Sequence, residues 1–181
     1  TRKLLAIGLE SAMAAGAETR LVDLRDTVLP VMDPESDEQA ALPAVKLVKE
    51  SAVWADGFLL ATPEYHGSMS GALKNWFDFL YRELSGKVAG VLAQTGGGTG
   101  DMSIVSVKTS FNWCHGFSLP FHAAANSGQW TGEELDPKVK DRVVRLGRDV
   151  VRYAALIRKT WEESKALGKG PESGFAGFHV K

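Results

Sequence analysis

The chain has 181 residues, 44% of them hydrophobic and 24% charged, with a net charge of −1. That length suits one domain with a buried core, and the near-zero charge gives no bias toward nucleic acid or an acidic partner. The single cysteine, Cys114, excludes an intramolecular disulfide and a thiolate metal cluster, and no apolar run approaches the roughly 20 residues that span a bilayer. No signal peptide is visible, so the expectation is a cytoplasmic protein without membrane partners.

Residues 2–15 are helix-tolerant throughout, with Gly16 placed as a helix-ending glycine. ETRLVDL (18–24) reads as a strand, and 28–43, with three prolines and an acidic patch, as a loop. In 44–55, Val45, Val48, Ala52 and Ala55 share one helical face. DGFLLA (56–61) is short and apolar, a buried strand, and a helix is expected from about 70 to 83. GKVAGVLAQT (86–95) is a strand entering the glycine cluster 96–100, 101–115 is helical, and FSLPFHAA (117–124) is a strand carrying Pro120. Val139, Val143, Leu146, Val150, Tyr153 and Ile157 mark a long last helix, opened by Asp136 as N-cap and Pro137 at N1.

Strands alternate with helices, which predicts a doubly wound parallel α/β sheet in three layers. One domain is expected over 1–165, followed by a glycine-rich tail over 166–181 that needs a contact to order it. Such a sheet normally begins with a strand, whereas here the first element is a helix.

Two glycine-bearing strand-to-helix loops, 62–71 and 95–100, fall at the carboxyl edge of the sheet, where open α/β sheets bind ligands. Their main-chain amides can grip a flat ligand, Tyr65 offers a ring for stacking, and Gly96, Gly97 and Gly98 let backbone approach a planar group. Other chemistries fail on spacing. GGGTGD lacks the Lys-Ser/Thr of a Walker loop and the third glycine of a dinucleotide fingerprint. GSMSG is out of register for a nucleophile elbow, and His66, His115, His122 and His179 are too scattered for zinc.

Pro63-Glu64-Tyr65-His66-Gly67-Ser68, followed by Ser70-Gly71-Ala72-Leu73-Lys74-Asn75 and Asp78, resembles the signature of the NAD(P)H-dependent FMN reductase family. The resemblance covers most of residues 1 to about 160. It implies a flavodoxin-like fold with strand order 2-1-3-4-5 and bound FMN. It also implies an enzyme passing hydride from NADPH or NADH to flavin, then in ping-pong fashion to a small acceptor: a flavin, quinone, azo dye or metal oxyanion. Carried over, Pro63, Glu64, Tyr65, His66, Gly67 and Ser68 would hold the isoalloxazine ring through backbone amides. Gln94, Thr95, Gly96, Gly97 and Gly98 would flank it, and Thr1 matches the last polar residue of the phosphate loop. The cofactor performs the chemistry in such an enzyme, so no catalytic residue and no metal ligand is nominated.

Two other readings are a flavodoxin-type electron carrier, against which the charge of −1 argues, and an α/β binding domain without flavin. Arg142, Arg145, Arg148 and Arg152 form a stripe read first as a solvated face and second as an NADPH phosphate contact. Trp76, Phe79 and Tyr81 widen the apolar arc of the 70–83 helix, and with Phe111 and Trp113 this predicts a homodimer or homotetramer. Finally, strand order 2-1-3-4-5 leaves a central slot without a strand. A strand and phosphate loop ahead of Thr1 are expected to fill it, or in part the tail through Phe175 and Phe178.

Overall fold

The computed structural model describes residues 1–181. In chain order it has α1 (Arg2–Ala14), α2 (Pro43–Trp54), β1 (Gly57–Pro63), α3 (Gly71–Asp78), β2 (Val88–Thr95), α4 (Asp101–Trp113), β3 (Phe117–Asn126), β4 (Trp130–Thr131), β5 (Glu134–Leu135) and α5 (Pro137–Ala166). Strands β1, β2 and β3 form one parallel sheet in that order, and β4 and β5 form a small antiparallel hairpin.

The sheet is covered on both faces, as its near-continuous apolar strands require. One core joins Val91, Ala89 and Leu60 to Trp76, Phe77 and Phe111 of α3 and α4. The other joins Val88 and Leu92 to Leu4 of α1 and Val143 and Leu146 of α5. Helices α1 and α5 cross closely because Gly147 faces the Gly8 carbonyl, and a Cβ there would sit 2.5 Å from that oxygen.

Helix termini follow local chemistry. Asp136 accepts from the amides of Lys138 and Val139, which caps α5 as the sequence predicts. At the end of α1, Gly16 has φ +94, with Gly16 N–H donating to Met13 and Ala17 N–H to Ala12. This is a Schellman closure.

Three expectations are corrected. Residues 18–22 form no strand and make no hydrogen bonds to other backbone, because no neighbouring strand lies within reach of them. A strand exists only as part of a ladder. Helix α3 stops at Asp78, and a separate 3-10 turn covers Arg82–Leu84. Phe79 and Tyr81 therefore do not extend the α3 face, while Trp76, Phe77, Leu80, Leu84 and Phe111 are buried within the chain itself. Lastly, the tail does not enter the central slot. Its 3-10 turns, Pro171–His179, pack on α5 and β3, where Phe175 meets Trp161, Phe117 and His115.

Candidate functional site

The two glycine-bearing loops meet at the carboxyl ends of β1 and β2. Pro63 lies opposite Gln94 in the ladder, and Glu64 N–H donates to the Gln94 carbonyl at 2.9 Å. Tyr65 and Ser68 then exchange both backbone hydrogen bonds at 3.0 Å, closing a two-residue turn over His66 and Gly67. Both central residues have positive φ, 52° and 73°, as a type I′ turn demands. The turn projects Tyr65, His66, Gly67 and Ser68 into solvent.

Below it the loop is anchored. Buried Thr62 accepts from the Ser70 amide at 3.0 Å, and the Ser70 hydroxyl caps α3 by accepting from Leu73 N–H. Glu64 reaches across to the second loop, where its carboxylate accepts from Ser103 N–H at 2.9 Å in the first turn of α4. A negative charge there also meets the positive end of the helix dipole. Ser68 and Ser106 hydroxyls, 3.1 Å apart, form a second tie between loop and helix.

The second loop is held from inside. Thr95 donates its hydroxyl to Gly98 O at 2.7 Å, and Ser127 N–H donates to Gly96 O. Gln94 accepts from the indole N–H of Trp130 at 3.0 Å, docking the β4–β5 hairpin beside the site. Gly96, Gly97, Gly98 and Thr99 stay exposed, and their amides, like those of His66 and Gly67, donate to no backbone group in the chain. A Cβ on Gly96 or Gly97 would meet nothing within 4 Å, so the space above them is open. Gly97, Gly98 and Thr99 line a pocket of about 240 Å³ with Ala124, Ala125, Asn126 and Gln129.

Thr1 lies at the same edge but apart from Gly97 and Gly98, in a larger cavity that it shares with Pro63 and Tyr65. It precedes α1 without a side-chain cap, which leaves the first amides of that helix free for an anion. Beside it, Arg2 sits 3.6 Å from Asp23, and Arg25 binds the same carboxylate at 2.7 Å. Hydrogen bonding from Arg25 holds Asp23 down to about 2, against its desolvation, so this carboxylate is ionised at neutral pH and offsets one of the two arginines.

Sequence reading thus placed the two loops correctly at one edge. It missed the Glu64 cap on α4, the Trp130–Gln94 bond and the hairpin carrying Trp130. The hairpin had a local signal, Thr131-Gly132 with Gly132 at φ +60, between Trp130 and Leu135. Arg142 turns out to stack on Phe121 at 4.7 Å and to donate to His122 O, while Arg145 and Arg152 pair with Asp141 and Asp149. These contacts match a solvated face more than a phosphate site.

A family model described as NADPH-dependent FMN reductase matches residues 1–131. The chain is 33% identical over 153 residues to an NADPH azoreductase of Bacillus sp. (strain OY1-2), covering 83% of this chain and 84% of that one. It is 26% identical over 170 residues to the NADPH-dependent FMN reductase ArsH of Shigella flexneri, covering 84% of this chain and 65% of that one. Among solved structures, the flavoenzyme NAD(P)H:(acceptor) oxidoreductase FerB of Paracoccus denitrificans superposes with a TM-score of 0.66 at 21% identity, over 87% of this chain and 89% of that one. That likeness shows the fold.

Proposed function

The chain belongs to the NADPH-dependent FMN reductase family, and from that premise we propose that it oxidises NAD(P)H through FMN held at the carboxyl edge of its sheet. One observation carries the placement: the exposed amides of His66, Gly67, Gly96, Gly97, Gly98 and Thr99, on the two loops at that edge, have no backbone acceptor in the chain. The residues present fit a flat, acceptor-rich ring, and the open space over Gly96 and Gly97 leaves room for it.

In this reading the 66–67 turn and the 96–99 loop donate hydrogen bonds to the ring, and Tyr65, 61% exposed, stacks at its edge. Gln94 and Thr95 set the second loop, while Glu64 and Ser68 keep the loops in register through α4. Thr1, the uncapped start of α1 and the Arg2–Arg25 pair suit the anionic phosphate. Bound FMN supplies the two-electron chemistry, taking hydride from NAD(P)H and delivering it to a second acceptor. The polypeptide binds, orients and shields. The acceptor is a conjugated small molecule of the azo, quinone or free-flavin class, a proposal supported by the names of the azoreductase and FMN reductase relatives.

The test is direct. FMN titration of the purified chain should quench flavin fluorescence with a saturable curve, and the loaded protein should oxidise NADPH continuously when an azo dye or menadione is added. A protein that refuses FMN, or binds it without turnover, would overturn the reading.

A further inference from the structure

The sheet ends at β3, which pairs with β2 on one side and with no strand on the other. Phe117 N–H donates to Lys87 O, and alternate residues of a parallel strand face the same neighbour, so odd-numbered residues of β3 serve β2. The pairing then slips from Val88–Phe117 to Val91–His122, a two-residue shift that keeps this phase. Ser118, Pro120, His122, Ala124 and Asn126 therefore turn their backbone groups to the open side. An open edge ten residues long is a ready template for a strand of another chain.

Here side chains close it. Lys108 of α4 donates to Pro120 O at 2.9 Å, and Arg142 of α5 donates to His122 O at 3.1 Å. The two cations arrive from opposite faces of the sheet, since α4 and α5 belong to different cores. Towards the ends of the strand, Ser118 N–H donates to Asn112 Oδ1 and Asn126 N–H to Gln129 Oε1, both at 3.0 Å. Pro120 has no N–H to offer. Outward N–H groups are left only at His122 and Ala124.

Ion pairing does not account for where these two cations sit. On α5, Arg145 and Arg152 pair with Asp141 and Asp149, whereas Arg142 lies over the Phe121 ring at 4.7 Å. Lys108 has His122 Nδ1 at 3.4 Å as its other polar neighbour. Both are held by the strand they cover.

We propose that Lys108 and Arg142 are a pair of edge clamps that keep β3 from pairing with the β3 of a second copy of this chain. An incoming strand needs donors and acceptors in alternation. At Pro120 and His122 it would have to displace an ammonium and a guanidinium from the carbonyls it requires. A copy related by a two-fold axis would also bring its own Lys108 and Arg142 to the same seam, like charge against like. Contact between copies is thereby left to the helix faces. The pocket lined by Ala124 and Asn126 also stays clear of a covering strand.

The test compares the full chain with Lys108→Ala, Arg142→Ala and the double variant, by light scattering over a concentration series and by amide exchange. Arg142 is exposed and Lys108 half-buried, so neither substitution opens the core. The double variant should gain mass over the wild type as concentration rises. Its His122 and Ala124 amides should then exchange at least ~10-fold more slowly, as newly laddered amides do. Each single variant should move the same way by less, and Lys108→Arg, which keeps a cation of similar reach, should match the wild type. A folded double variant with wild-type mass and unchanged exchange would overturn the clamps. Should that variant not fold, single variants at wild-type mass and exchange would overturn them equally. Added mass without slower exchange at His122 and Ala124 would place the contact elsewhere and also refute the proposal.

Discussion

Glu64 and Ser103 stand on different loops of the sheet edge, and the carboxylate of the first accepts the amide of the second at 2.9 Å. The first glycine-bearing loop thereby caps the helix that follows the glycine cluster. Packing of α4 and the spacing of the two loops are thus one degree of freedom.

Glu64→Ala should release that coupling. The cap and its dipole contact are expected to contribute about 0.5–2 kcal/mol, read as a lower urea midpoint. FMN affinity should fall as well, while Glu64→Gln, which keeps an acceptor, should lie between the two in both readouts. Unchanged affinity in Glu64→Ala would show that the loops hold their spacing without it.

Gly97→Val and Gly100→Val should part company. A side chain on Gly97 projects into open space, so the fold should survive and FMN binding should be lost. Gly100 has φ +79, and a Cβ there would lie 2.9 Å from that of Ala93. That variant should melt markedly lower or fail to fold. Tight FMN binding by Gly97→Val would move the ring off this loop.

The tail should respond to pH. His115 Nδ1 and His179 Nε2 are 2.6 Å apart, and the other ring nitrogen of His179 is buried without a partner. Burial, then the His115, Arg82 and Lys165 charges, lowers the His179 pKa below its ordinary 6.5. The docked tail therefore binds fewer protons than the undocked one. Its stabilisation is complete above the undocked pKa, near 6.5, and is lost as pH falls through that value toward the lowered one. Trp161, against which Phe175 and His179 pack, reports the change in fluorescence. His179→Phe should flatten the profile between pH 5 and 7.5, and an identical profile would assign the transition elsewhere.

Assembly should run through α4. Met102, Val105 and Trp113 lie three to four residues apart or a multiple of it, and Trp113 is 80% exposed. A homo-oligomer is expected, with Trp113→Glu shifting it toward a 19.5 kDa species in light scattering. A wild-type monomer at micromolar concentration would sink this proposal.

Elements defined by their own residues were legible in the sequence. Helix α5 carries its cap at Asp136, its N1 proline and its apolar period together. The structure reproduces the cap and the proline and buries Val139, Val143, Leu146 and Val150, but it leaves Tyr153 exposed and puts Ala154 in the core instead. Residues 18–24 have the composition of a strand, yet composition does not supply a ladder partner. Nothing between Asp78 and Tyr81 breaks a helix chemically. Helix α3 ends because Leu80 and Leu84 turn into the core, with Glu83 accepting from Tyr81 N–H to hold the new turn. The loops of the site were readable because glycine and proline act locally. Glu64 to Ser103 and His115 to His179, 39 and 64 residues apart, were not.

The turn at His66 and Gly67 limits what mutation can do near the proposed ring. Position 66 holds φ +52, a conformation open to glycine, asparagine, aspartate and histidine and strained for β-branched residues. Charge, proton-donating capacity and bulk at that spot can therefore vary only within this short set. A selection for altered redox behaviour should return those few amino acids at 66, and draw its wider variety from Tyr65 and Ser68, whose φ is not positive.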